Sequence, residues 1–207
     1  AESNPPHFCI CRAEVSKLLV DMRQRAVSAA NLGINDQNSV NASQKEIENA
    51  LEAIDRISNN TQFGSKNLLD GSNLDAQGNP LVSFQIGANQ GQIASVSLPN
   101  VSTNQLAIGV SNDSGFSSLA DLDVTTGKGS EDAMGVIDKA IEEIAQQLTE
   151  LPESALAGLP LEDDLLQELH LARNTRGHGS RKRQIKHFAG RLRRYDRIDE
   201  LDIFLNG

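Results

Sequence analysis

From Glu14 to Asn31 apolar side chains return every three or four residues: Val15, Leu18, Leu19, Met22, Ala26, Ala29 and Ala30. On a helix they share one face, and Asn31-Leu32-Gly33 supplies a stop. A second stripe follows in Ile47, Ala50, Leu51, Ile54 and Ile57, with Glu46, Glu48, Glu52, Asp55 and Arg56 mostly off it. The loop between the two, Ile34 to Asn38, is short, so the pattern predicts an antiparallel pair of helices meeting stripe to stripe. Ser58, Asn59, Asn60 and Thr61 are expected to end the second helix, because short polar side chains compete for the backbone bonds that would extend it. Gly64 and Gly71 then permit a turn-rich FGSKNLLDG segment, whose Phe63, Leu68 and Leu69 should tuck back onto the helix.

Further on, Leu81 to Ile86 and Gln92 to Leu98 alternate apolar and polar positions around Gly87 to Gly91, the signature of a β-hairpin. Val82, Phe84 and Ile86 fall on one face; Ile93 is out of phase with Val96 and Leu98, which suggests a bulge. Residues 101–126 are rich in Ser, Asn and Asp, with apolar clusters at Leu106, Ile108, Val110 and at Phe116, Leu119, Leu122, and predict no single element. A third helix is expected behind Ser130 as N-cap, with Glu131 and Asp132 in its first turn. Its stripe is Ala133, Ile137, Ala140, Ile141, Ile144 and Leu148. Pro152, Gly158 and Pro160 punctuate a linker over 147–160. Beyond it, 161–207 reads as a small separate helical segment, with Ile185, Phe188, Ala189 and Leu192 on one face of a basic helix. The fold class is therefore mainly α with a β-hairpin: an elongated antiparallel helical bundle followed by that segment.

Composition sharpens the division. Of 207 residues 38% are hydrophobic, Trp is absent and aromatics are few, so the core must be built from Leu, Ile and Ala. No apolar run is long enough to span a membrane, and no membrane partner is expected. The net charge of -9 conceals 9 basic against 24 acidic side chains in residues 1–169, and 10 against 4 in 170–207. His7, Cys9 and Cys11 form H-x-C-x-C, but one residue between the cysteines is too short for paired zinc ligands, and residues 1–13 read as an unstructured tail. Phosphate-loop, dinucleotide, H-E-x-x-H and G-x-S-x-G motifs are missing. Glu142-Glu143 and Asp163-Asp164 are sequence neighbours and splay on a helix, so no acid/base pair, cofactor or enzyme activity is expected.

Four stretches carry a resemblance. EIDRI followed by KNLLDGS, the helix LLVDMRQRAVSAANLG over 18–33, FQIGANQGQIASVSLP over 84–99 and AMGVIDKAIEEIA over 133–145 stand in the order of bacterial flagellin, and the likeness covers about residues 14–146. The resemblance implies the core of an extracellular filament subunit for motility, with other flagellin subunits and a flagellar export chaperone as partners. Residues 1–13 match nothing in that pattern. Past Ala145 a flagellin continues into a long return helix, whereas this chain reads QQLTELPESALAGLPLEDDLL. A truncated core without polymerisation helices is expected. In many flagellins the first core helix is read by other subunits and by a vertebrate innate immune receptor; here the matching contact residues are Asp21, Met22, Arg23, Arg25 and Val27, with Glu46 as acidic counterpart. Asp21 stands where Arg is common and Arg25 where Leu is common, which predicts weak receptor recognition.

The basic segment is similar to something else. G-x-R-K-R-Q-I followed by G-R-L-R, within 159–194, resembles the middle of the YjgA/DarP family of ribosome-associated proteins. That resemblance implies an alternative function in large-subunit maturation, with ribosomal RNA met by Arg181, Lys182, Arg183, Lys186, Arg191, Arg193 and Arg194. The chain as a whole reads as chimeric.

Overall fold

The computed structural model describes residues 7–31, 33–63, 65–73, 83–85, 93–95, 99–151, 153–156 and 159–194. The first helix, α1, spans His7–Ala30, and α2 spans Gln37–Asn60. Thr61 beside Cys11 at one end and the Arg25–Glu46 pair at the other fix the two as antiparallel. α1 starts earlier than its stripe predicts, because Arg12 and Ala13 are already buried; residues 7–13 are helix rather than tail. α2 begins at Asp36, whose carboxylate accepts the Ser39 amide at 2.8 Å. That bond is also the main reason the Asp36 carboxyl sits below its ordinary value. The helix ends at Asn60 with Thr61 as its C-cap, inside the expected polar stop. Ser58 stays inside the helix, fully buried, because its hydroxyl donates to the Leu69 carbonyl at 2.9 Å and so needs no water.

The segment after α2 folds back as anticipated. β1 (Gln62–Phe63) pairs antiparallel with β2 (Lys66–Asn67), and Leu68 and Leu69 are buried; the Phe63 side chain lies outside the described residues. Gly71 adopts φ 80°, and a Cβ there would come within 2.8 Å of Asn100 Nδ2. Asn100 uses that amide to reach the Asp70 carbonyl at 2.9 Å, so glycine is what lets two chain segments touch. β3 (Ser83–Gln85) and β4 (Ile93–Ser95) form the expected hairpin with Phe84 opposite Ala94. Val82, Ile86, Val96 and Leu98, on which its face and bulge were argued, lie outside the described residues.

Residues 99–126 form turns and one short 3-10 helix, Leu119–Asp121. Their apolar members still enter the core: Val101, Leu106, Phe116, Leu119, Leu122 and Val124 are buried, whereas Ile108 is 56% exposed. α3 spans Gly127–Thr149, with Thr126 as N-cap receiving the Gly129 amide at 3.0 Å. The predicted cap, Ser130, lies one turn inside and fully buried, its hydroxyl donating to the Val124 and Thr126 carbonyls. The whole predicted α3 stripe is buried, and Val136 and Ala145 widen it.

The widening has a cause. One side of α3 packs along α1, which also packs on α2; its other flank takes α5 (Asp163–Asn174) and α6 (His178–Leu192). A four-residue α4, Glu153–Leu156, leads into them. The basic segment is thus not separate: Leu165, Leu169, Ala172, Ile185, Phe188, Ala189 and Leu192 join the same buried cluster as α1, α2 and α3. Apolar stripes on α5 and α6 need cover, and the half-circumference of α3 that α1 leaves open supplies it.

Candidate interaction surfaces

Two sets of residues were candidates for contact, and the fold sorts each. In the first set Met22 is 1% exposed and belongs to the core. Arg23 is half-buried and its Nε donates to Asp138 Oδ1 at 2.7 Å, bridging α1 to α3. Arg25 and Glu46, both half-exposed, pair with one another across α1 and α2. Asp21 and Val27 are half-buried. Asp21, Arg25 and Glu46 border a shallow groove of about 390 Å³ between these helices, floored by Leu18, Met22, Ala50 and Ala53.

In the second set the seven cations divide in two. Arg193 Nε lies 3.3 Å from the same Asp138 Oδ1, near enough for a charge pair though not aligned as a hydrogen bond. Lys186 faces Glu142 at 3.9 Å, and Arg191 pairs with Asp164 of α5. These partners run in opposite order along α3 and α6, so the two helices are antiparallel. Lys182, Arg183 and Arg194 are exposed and Arg181 half-exposed, without an ion pair among the described residues.

Acidic residues on α2 and α3 organise the long loop. Asp55 accepts the Thr103 amide at 2.8 Å and its hydroxyl at 2.9 Å. Glu143 accepts the amide of Ala107, which sits at φ 57°, and Gln44 grips residues 122 and 124 from α2. Asp132 accepts the Ser114 hydroxyl and the amides of Asp113 and Ser114. The hydroxyl bond, against some desolvation, is the main cause of its depressed pKa. Nothing in a single sequence flags these bonds, because each joins a helix to an amide in a stretch without periodicity. Glu142 and Glu143 do splay, one to α6 and one to the loop, and among the described residues no group of three or more His, Cys, Asp or Glu could hold a metal. No described helix is long and apolar enough to cross a membrane.

Packing helices, a pinned loop and paired surface charges define a helical bundle. Comparison with known proteins separates its two parts. The bacterial flagellin N-terminal helical region matches residues 12–74, and the dual-action ribosomal maturation protein DarP family matches 137–206. Flagellin of Bacillus subtilis (strain 168) is 32% identical over 154 residues, covering 67% of this chain and 51% of its own length. Flagellin of Salmonella muenchen is 36% identical over 95 residues, 46% of this chain and 17% of that one. The chain thus spans about half of one curated relative and a sixth of the other. FliC from Burkholderia pseudomallei shares the fold at TM-score 0.55 and 19% identity, over 67% of this chain and 92% of that one. The protein carries a flagellin-like region followed by a DarP-like segment. The DarP match starts at 137, inside α3 and ahead of the linker at 147–160, so α3 lies where the two parts meet.

Proposed function

We propose that the region from α1 through α3 acts as the core of an extracellular flagellar-filament subunit, a building block for motility whose partners are other flagellin subunits and an export chaperone. The observation that carries this reading is the sealed packing of α1 against both α2 and α3, with the loop 99–126 pinned across it by Asp55, Glu143 and Gln44. Assembly should be limited. α3 ends at Thr149 and the chain turns back, so α5 and α6 cover a flank of α3 that a neighbouring subunit could reach only by displacing them. Recognition by the innate immune receptor should be weak for a related reason: Met22 is buried and Arg25 is held by Glu46. Sedimentation tests the reading. The chain alone stays in the supernatant and pellets only with filaments grown from a complete flagellin. Failure to enter such filaments removes the subunit reading, and filaments from the chain alone remove the limit on assembly.

A second reading has its own support. Arg181, Lys182, Arg183 and Arg194 remain without acidic partners among the described residues although the chain is acidic overall. Such a surface suits a polyanion, and within reach of a Debye length local charge outweighs the net balance. Binding of RNA that weakens steeply with salt supports it; salt-insensitive binding or none removes it.

A further inference from the structure

The packing of α6 divides its cations by role. At 100° per residue Arg183, Lys186 and Gly190 fall within about 60° of one another, and Arg194, in the turn just past the helical C-cap Arg193, continues that side of α6. All three cations are exposed, and half-buried Gly190 has open space beside it, since a Cβ there would meet nothing within 4 Å. This ridge is about 16 Å long. The carboxylates that face α6 come from neighbouring helices and stand to either side of it. Asp138 and Glu142 of α3 meet Arg193 and Lys186, while Asp164 and Glu168 of α5 meet Arg191 and His187. Of these partners only Lys186 also belongs to the ridge, and it is the loosest, at 3.9 Å with 57% of its side chain exposed.

We propose that an RNA phosphate backbone is received on the ridge of Arg183, Lys186 and Arg194, with Gly190 as its point of closest approach, while Arg191 and Arg193 are positioning residues that hold α6 on α5 and α3. The proposal rests on the second reading above and narrows seven candidate cations to three, Arg181 and Lys182 lying off the ridge along the cleft they line with Lys139 and Glu142 of α3. The chemistry is that of phosphate neutralisation: each cation displaces a condensed counterion, so the salt dependence of binding counts the contacts. Flanking carboxylates repel a strand that strays from the ridge, which confines it to one track across the helix.

The test is fluorescence anisotropy of a labelled single-stranded RNA with the full chain, titrated against salt. Three contacts predict a log–log slope of about -2, at roughly -0.7 per contact. Arg183→Gln with Arg194→Gln should reduce the slope to below about 1 in magnitude while helicity by circular dichroism is unchanged. Gly190→Glu, which sets a carboxylate into the ridge without burying anything, should weaken binding at least about tenfold, the size of one lost charge-assisted contact. Arg193→Gln should keep the slope and lower the unfolding midpoint. A slope that survives loss of Arg183 and Arg194 but collapses with Arg191 and Arg193 overturns the assignment while leaving RNA binding in place. No binding by the unmodified chain removes the second reading and this inference together. Binding of polyglutamate at the ridge in place of RNA overturns it in favour of an acidic protein partner.

Discussion

The two flanks of α3 are held by different kinds of force. Toward α1 and the loop, wide apolar faces close on each other and carboxylates bond to backbone amides: Asp55 to Thr103, Glu143 to Ala107, Asp132 to Ser114. Toward α5 and α6 the apolar strip is narrower, and the polar contacts are side-chain ion pairs open to water, such as Lys186–Glu142 and Arg191–Asp164. Exposed pairs contribute about 0–1 kcal/mol each, so Phe188 and its neighbours must carry most of the docking. Bonds to amides fix a shape, whereas exposed pairs mainly set which faces meet. The flagellin-like flank should therefore hold its form under salt and mild denaturant after the DarP-like flank has begun to open.

Phe188→Ala breaks the comparison most sharply. Its ring is fully buried, and its loss should cost about 3–5 kcal/mol. Native-state hydrogen exchange should then show protection lost across α5 and α6 but kept in α1 and α2; equal loss everywhere means the flanks are not distinct. Met22→Ala follows, at about 2–5 kcal/mol, because Met22 fills the core on the other flank. Its neighbour Arg25, replaced by Ala, should cost under about 1 kcal/mol in the same denaturant titration. A reversal of those two effects would return Met22 to the surface.

Much of the first flank was legible because it is periodic. Val15, Leu19, Ile47, Ile54, Ile137 and Ile144 were placed on core faces by spacing alone, and each is fully buried. Element ends were harder to read. Ser58 and Ser130 have the chemistry of a stop and a cap, yet both are buried within helices because a distant or upstream carbonyl takes their hydroxyls. The loop 99–126 has no period, and its order comes from carboxylates on other elements. The docking of α6 was illegible for another reason: Ile185, Phe188, Ala189 and Leu192 state that the helix needs a partner, never which one. That α3 has a second apolar side is visible in Val136 and Ala145 only once its first side is known to be occupied.

Smaller effects sharpen the contrast. Gly129→Ala would push a Cβ into the Asp123 carbonyl and to 2.9 Å from Thr126 Oγ1. It should cost about 1–3 kcal/mol and fray the start of α3, read as lost protection at 127–133. Acid should act on the loop. Asp121 and Asp132 both lie below their ordinary value of 3.8, Asp121 through the Ser117 amide and Asp132 through the Ser114 hydroxyl. Their contribution is complete above that value and is lost as pH falls below it toward their folded-state pKa. Amide shifts at Ser114 and Ser117 should move in that window, while Phe188 stays unperturbed; movement of Phe188 there would tie the flanks together.

Cross-linking tests most directly whether α6 is packed on α3. Lys139 of α3 and Lys182 of α6 line the same cleft, together with Glu142 and Ile185. A short amine-reactive linker applied to monomeric protein should join Lys139 to Lys182, and mass spectrometry should recover that peptide pair in high yield. If Lys182 and Lys186 never link to Lys139, α6 does not lie on α3.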